Sequence, residues 1–396
     1  IGNLVEVPGV NGSRQHISYD AAGRKISIDD PDNGLWKYAW NALGEMTRQL
    51  DAKGKAMDFE HDRMGRVVLR RELSGVSSLT DSIFVLEQYE ETEWENSTAS
   101  TVRGKAQPRR VRYVRGDSNE VLHQRDFSYD ELGRVNLVVN SIGALVLSEE
   151  TTYDQYGRVF QVFDASGDYR GIRYRYNGRG YLDQLADSRE GGDAVVYRDI
   201  EGLDARGNVS YALLGNGVEV FASHNPASGL LHTLEAYGAG GRELQRVEYE
   251  FDVLGNLMKR ADVSAGNDLI EDFHYDDLNR LYRLELTSPS NGLSTPTETL
   301  ALNYDNAGNI TYKSDVGTYR YGEDEAGPHA VTSAGGKSYS YDENGNQVSG
   351  AGRAISYSVF DKAVLIEKDG HSTRFSYGIA HRRIQREDVN SDGGVT

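Results

Sequence analysis

The sequence predicts an all-β protein in which tandem β-hairpins pair side by side into one large antiparallel sheet. Three observations carry this reading. One six-residue phrase returns along almost the whole chain, and the stretches flanking it alternate with period two. The composition is dominated by 44 Gly and 25 Tyr, with only 7 Pro and 10 Phe. Tyr suits half-buried pleated surfaces and Gly suits tight turns, so composition and pattern point the same way.

The phrase is an aromatic or similar residue, then Asp or Asn, two variable residues, and Gly-Arg or Gly-Asn. Copies begin at Tyr19, Trp40, His61, Tyr129, Tyr153, Tyr176, Leu203, Phe251, Tyr275, Tyr304 and Tyr341. An Asp at the first position of a type I turn accepts a hydrogen bond from the backbone N–H two residues on. A Gly at the fourth takes the positive φ that closes the hairpin. The pairs Asp20/Gly23, Asp62/Gly65, Asp130/Gly133, Asp154/Gly157, Asp252/Gly255, Asp305/Gly308 and Asp342/Gly345 are therefore assigned as structural turn residues. Asn279 stands where the others have Gly and tolerates the same conformation.

Between phrases the chain reads as strand, for instance Val247-Glu248-Tyr249-Glu250-Phe251 and Lys337-Ser338-Tyr339-Ser340-Tyr341. A second Gly turn falls midway, at Asp30–Gly34, Asp51–Gly54 and Asp164–Gly167. Most phrases follow one another at 21 to 29 residues, which fits two strands of about seven residues and two turns. One hairpin is marginal alone, so stability requires stacking many. Tyr residues at equivalent positions are expected to form a cross-strand ladder that serves as framework.

The period breaks from Ser74 to Asp126, where 68 residues separate Asp62 from Asp130. This insertion, about 74–126, has an acidic first part (Glu87, Glu90, Glu91, Glu93, Glu95) and a basic second part (Arg103, Lys105, Arg109, Arg110, Arg112, Arg115). Two strands paired as an elongated charged hairpin are expected, in preference to a docking patch. Ile83–Tyr89 and Leu230–Tyr237 are each readable as a short helix or a buried strand, their apolar runs being too brief to separate the two, and 286–300 reads as a Ser/Thr/Pro/Gly loop. No domain boundary stands out, so residues 1–396 are taken as a single repeat fragment.

The residue inventory excludes much chemistry. With 43 basic against 61 acidic residues the net charge is −18, which disfavours nucleic acid. There is no Cys for thiol or zinc-thiolate chemistry, and no apolar run of membrane-spanning length. The nine His form no close ligand pair, and the Asp residues are occupied by turns. Gly238–Gly241 lacks the strand-to-helix setting of a phosphate loop, and Arg115-Gly116-Asp117 is a short match to an integrin-binding tripeptide. Asn96-Ser97-Thr98 and Asn309-Ile310-Thr311 match the glycosylation acceptor pattern. No catalytic, cofactor or metal residue is assigned, and the chain is expected not to be an enzyme.

The tandem phrases from about Asn11 to Arg383 resemble the YD or Rhs repeats of bacterial polymorphic toxins, toxin-complex C-type subunits and teneurins. The strongest stretch is Gly327–Asn346 ("GPHAVTSAGGKSYSYDENGN"), followed by "ISYSVFD" at 355–361 and "STRFSYG" at 372–378. The resemblance implies a sheet that spirals into a hollow shell around a C-terminal toxic domain, in a secreted or injected toxin. The implied partners are the core region and cargo of the same polypeptide, or a companion shell subunit. A cell-surface adhesion or carbohydrate-binding protein is the alternative, with Trp94 suited to sugar stacking. Because the repeats run to Tyr377 without a terminating cap, the natural chain is expected to continue past Thr396 and to carry further modules before Ile1.

Overall fold

The computed structural model describes residues 2–9, 13–96, 103–164, 171–188, 194–264, 266, 268–289, 296, 298–390 and 394. It is all-β, as the sequence predicts. The described residues form 33 strands, and consecutive strands pair antiparallel as a meander. Two short 3-10 segments, Ala239–Gly241 and Ile379–His381, interrupt them. None of the described helices is long and apolar enough to cross a membrane.

The strand assignment settles two segments that the sequence leaves open between helix and strand. Neither is helical: Val85–Tyr89 belongs to the strand Val85–Trp94 and Leu231–Tyr237 to the strand Leu231–Gly238. Each is drawn into a ladder by a neighbour of matching alternation, Val67–Ser74 in the first case and Arg242–Phe251 in the second. The local apolar run could not distinguish the two forms, and the available sheet edge decides it. Residues 97 and 98, 165–167 and most of 290–297 lie outside the described residues. These hold parts of one glycosylation motif, one midway turn and the Ser/Thr/Pro/Gly loop.

The chain divides into two compact units. The first comprises Ile1–Ser148, Tyr304–Thr311 and Val316–Thr396, so it contains both the first and the last repeats. The second comprises Glu149–Asn303 and Tyr312–Asp315 and carries the repeats of the middle of the chain.

Within the first unit two buried apolar patches stand out. One gathers Leu50, Ala56, Leu73 and Val76 with Leu79 and Leu86 against them. The other gathers Val111, Tyr113 and Ile379 with Leu122 and Phe127. Its members come from the insertion and from the last repeat, which brings distant sequence to one place.

The insertion contributes the antiparallel strands Val85–Trp94 and Pro108–Arg115 and runs on into the strand Val121–Tyr129. Glu91 lies opposite Arg112 and Glu93 opposite Arg110. Arg112 reaches Glu91 at 2.7 Å and Glu93 at 3.1 Å, while Arg110 turns instead to Asp126 at 2.5 Å.

Candidate functional site: the repeat turn and the junction it builds

Seven assigned turns share one geometry. In those of Asp20, Asp62, Asp130, Asp154, Asp252, Asp305 and Asp342, Oδ1 accepts the backbone N–H groups two and four residues on at 2.8–3.1 Å. Oδ2 accepts from the side chain four residues on, such as Arg134 Nε at 2.7 Å or Asn256 Nδ2 at 2.8 Å. This explains why the phrase ends in Arg or Asn: both carry an N–H donor at the reach the carboxylate needs. The partner glycines Gly23, Gly65, Gly133, Gly157, Gly255, Gly308 and Gly345 have φ between +76 and +91, and Asn279 has +60. The register slips by one residue at the aromatic, as between Ser18 and Tyr19, which makes each phrase a type I turn closed by a bulge.

Repetition does not gather these glycines into one site. Gly23, Gly65, Gly133, Gly157, Gly255 and Gly308 each close a separate hairpin, donating the backbone N–H to the carbonyl of the Asp that opens it at 3.0–3.2 Å. A Cβ added at Gly255 or Gly308 would meet nothing within 4 Å; at Gly23 it would stand 3.5 Å from Asn3 Nδ2 and at Gly65 3.0 Å from Glu45 Oε1. The neighbours are flexible side-chain ends, so these positions are held by backbone conformation alone. Of the seven, only Gly345 belongs to the junction described below.

The aromatic has a second task that the sequence did not reveal. Its polar tip donates to the backbone carbonyl at the start of an earlier strand. Tyr129 reaches Pro108 O at 2.6 Å, Tyr176 Val159 O at 3.0 Å, Tyr275 Leu257 O at 3.0 Å and Tyr341 Val331 O at 2.9 Å. Trp40 does the same through Nε1 to Lys25 O at 2.8 Å. Phe would fill the same volume but leave that carbonyl unpaired, which accounts for the excess of Tyr. Ring stacking is found elsewhere, as between Tyr211 and Phe221 at 4.7 Å.

Three further turns share the backbone geometry, and two of them, Ser358–Lys362 and Gly378–Arg382, lack the signature Asp and Gly. Asp51–Lys55 closes with the same pair of backbone bonds, as do Ser358–Lys362 and Gly378–Arg382. Asp361 and His381 occupy the Gly position with φ of +55 and +53. The readable signal was an aromatic, Tyr357 or Tyr377, with a basic residue five positions later.

The last turns build a junction inside the first unit. His329 Nδ1 lies 2.6 Å from Asp32 Oδ2. Lys53 Nζ donates to Asp342 Oδ2 at 2.6 Å, and Asn344 Nδ2 donates to Asp51 Oδ2 at 2.6 Å and to Asp361 at 3.1 Å. Gly345 sits so close that an added Cβ would stand 2.3 Å from Asp32 O. The Gly378–Arg382 turn inserts deeper. Ile379 N–H donates to His123 Nδ1 at 3.1 Å, Ala380 N–H to Glu90 Oε2 at 2.7 Å, and His381 Nε2 faces Glu72 Oε1 at 2.9 Å. Glu72 is 1% exposed and also accepts the hydroxyl of the fully buried Tyr113 at 2.7 Å. Phe360 stacks on His381 with ring centroids 3.7 Å apart.

Electrostatics follow from this placement. Burial pushes the Asp51 carboxyl up, and the bonds from Asn344 and Lys55 only partly offset it. Burial also opposes the Lys53 ammonium, but the Asp342 hydrogen bond and the surrounding carboxylates outweigh it and raise its pKa. Burial holds the Tyr113 phenol far above its usual value, with the Glu72 charge adding to it, and burial lowers the His123 imidazole. Among the described residues no group of His, Asp and Glu is arranged to hold a metal. Groups that are pinned by mutual bonds in this way fasten strands together.

Other sequence candidates fall elsewhere. Arg115-Gly116-Asp117 opens a tight turn in which Arg115 pairs with Glu120 at 3.1 Å, and a Cβ on Gly116 would meet Leu86 O at 2.2 Å. Asn309 is 8% exposed and its amide donates to Asp305 and to Pro328 O, which leaves it inaccessible to glycosylation. Trp94 donates to Val67 O at 3.1 Å and carries the Arg66 guanidinium 4.7 Å from its ring centroid.

No protein-family model matches the chain. Among curated proteins it is similar to double-stranded DNA deaminase toxin A of Burkholderia cenocepacia (strain H111), 22% identical over 302 residues, covering 74% of this chain and 17% of that protein. Among solved structures it is similar to the TcdB2-TccC3-TEV crystal structure, with a TM-score of 0.69 at 14% identity over 95% of this chain and 20% of the other. A Photorhabdus luminescens Tc holotoxin pore gives a TM-score of 0.68 at 13% identity over 98% of this chain and 22% of the other. The chain thus spans about a fifth of the length of these relatives. Repeat pattern, turn geometry and structural likeness agree, and the chain has the YD/Rhs-repeat fold found in these toxin chains.

Proposed function

We propose that the chain is a structural shell module of a secreted or injected bacterial toxin, one that encloses a toxic domain carried elsewhere in the same polypeptide. The observation that carries this reading is the junction of the first unit, where the last repeats dock by their turns onto the first repeats. A repeat sheet that returns onto itself through buried polar bonds and an inserted Ile379 behaves as a wall. On this reading residues 1–396 act as one module carrying a charged hairpin at about 74–126. The Asp and Gly of each phrase, from Asp20 and Gly23 to Asp342 and Gly345, are framework residues, and the module itself performs no catalysis. Its partners are the remaining parts of its own polypeptide or a companion shell subunit. The adhesion alternative has less support, since Trp94 is engaged by Arg66 and Val67.

Limited proteolysis of the natural polypeptide that carries this chain provides the test. The expected result is a segment protected while the repeats are intact and digested once Ile379→Asp loosens the junction. Equal digestion in both proteins refutes encapsulation.

A further inference from the structure

The deepest contact of the junction rests on a group that can titrate. His123, in the strand Val121–Tyr129, is 6% exposed, and the Gly378–Arg382 turn presses on its ring so closely that a Cβ added at Gly378 would stand 2.3 Å from Nδ1. The bond between them runs one way only. Ile379 N–H donates to Nδ1 at 3.1 Å, and a backbone amide cannot accept in return. Nδ1 must offer a free lone pair, so the ring is neutral with its proton on Nε2.

Protonation would place a second N–H where the lone pair now receives Ile379. Two donors would then face each other at the foot of a turn whose Ile379 is packed among Val111, Tyr113, Leu122 and Phe127. A turn held in this way has to move out.

The surroundings offer a charged ring little compensation. Burial opposes the charge most, and Arg125, two residues along the same strand, opposes it with its own. The Asn140 side chain, on the strand Val135–Ile142, and Glu90, on Val85–Trp94, favour it. Glu90 is already engaged, since its Oε2 accepts Ala380 N–H at 2.7 Å and pairs with Arg70 at 3.3 Å. Directly across the ladder stands Tyr113, whose hydroxyl goes to Glu72. From the turn itself comes His381, which faces Glu72 and Arg70.

We infer that His123 is a proton-operated latch: neutral, it holds the Gly378–Arg382 turn and with it the last repeats on the insertion, and protonated, it lets that turn go. If the module walls in cargo, mild acid weakens the wall at the junction; the latch itself does not depend on that reading.

The folded ring binds its proton less readily than the unfolded one, whose ordinary value is 6.5. The stability it lends is therefore complete above about pH 6.5 and is lost as pH falls from there through the lower folded value. That window lies above the one in which turn carboxylates such as Asp62, held below 3.8, take up protons. Asp51, raised by burial, titrates in the opposite sense and cannot imitate the loss.

Hydrogen exchange of the Ile379 amide, followed by mass spectrometry on the full chain and corrected for the intrinsic rate at each pH, reads the latch directly. Protection should fall severalfold between about pH 7.5 and about pH 5.5, a single proton allowing at most about tenfold over that range. The Leu254 amide, held by Asp252, should keep its protection throughout. His123→Asn keeps an acceptor, Oδ1, in the place of Nδ1 and takes up no proton there, so its Ile379 protection should stay level. Should that variant fail to fold, nitrogen-15 spectra of histidine-labelled unaltered chain decide instead: His123 should protonate with the same midpoint at which Ile379 loses protection. His381→Gln separates the two imidazoles, since the pH dependence survives it only if His123 is the switch. Level protection in the unaltered chain, a fall that His123→Asn shares, a fall that His381→Gln abolishes, or midpoints that do not coincide overturns the inference.

Discussion

Gly133 and Gly345 occupy the same place in the same turn, with φ of +76 and +78, yet their surroundings differ. A Cβ added at Gly133 meets nothing within 4 Å; at Gly345 it stands 2.3 Å from Asp32 O and 3.5 Å from Asn33 Oδ1. Gly133→Ala should therefore cost only the left-handed backbone penalty, about 1–2 kcal/mol. Gly345→Ala incurs that penalty and must also open the junction by about 1 Å to bring the contact to an ordinary 3.4 Å. Forcing a packed contact apart costs about 1–3 kcal/mol more, so the sum is about 2–5 kcal/mol. The shift also strains the Lys53–Asp342 and Asn344–Asp51 bonds. Urea unfolding followed by Trp and Tyr fluorescence measures both variants, and amide hydrogen exchange at Asn344 and Asn346 shows whether the loss is local. Equal destabilisation within about 0.5 kcal/mol, a difference too small for a backbone clash, would mean that Gly345 does not press on Asp32.

Tyr129→Phe removes the donor to Pro108 O and should cost about 0.5–1.5 kcal/mol, while Tyr156→Phe at an exposed turn tip should stay within about 0.5 kcal/mol in the same unfolding assay. Reversing Arg110 and Arg112 to Glu should lower stability modestly, each exposed pair contributing about 0–1 kcal/mol, and the effect should shrink in high salt; a loss that salt leaves untouched would contradict an ion-pair origin. Acid should weaken the turns. Hydrogen bonds from the residue four on hold the carboxyls of Asp20, Asp62, Asp204, Asp252 and Asp276 below their ordinary 3.8. A folded-state pKa below the unfolded one gives stability that is present above 3.8 and lost as pH falls through the folded value. Asp51, whose carboxyl is raised, works in the opposite sense and relieves the junction as it protonates. Melting temperatures should fall below about pH 4, with a shallower fall in Asp62→Asn; a flat profile in that range would speak against the turn carboxylates.

The sequence made the strands and the phrase turns legible because both are local: alternation reports a pleat, and Asp-x-x-Gly reports a turn. It could not tell Gly345 from Gly23, Gly65, Gly157, Gly255 or Gly308, since what distinguishes it is the Asp32 carbonyl pressed against it from the far end of the chain. It hid the Ser358–Lys362 and Gly378–Arg382 turns, where backbone bonds alone preserve the shape after the signature side chains are gone. It hid the junction for a different reason. Nothing local in Asp51, Glu72 or His123 marks them as partners of a distant segment, and the residues they meet, Asn344, His381 and Ile379, lie about 250 to 310 positions away. The Tyr-to-carbonyl bond falls between these cases. Its residue type was visible, but its acceptor is a backbone atom that no sequence names.

Parity limits how such a chain can be edited. Each added strand moves the next turn to the other edge, and a phrase on the wrong edge would aim its Tyr away from the carbonyl it must reach. Insertions must therefore arrive in pairs of strands, and the one large interruption obeys: Val85–Trp94 and Pro108–Arg115 are two strands, which return the Asp130 turn to the edge of the Asp62 turn. A recombination that exchanged whole hairpins would keep every later repeat in frame, whereas gain or loss of a single strand would invert all that follow.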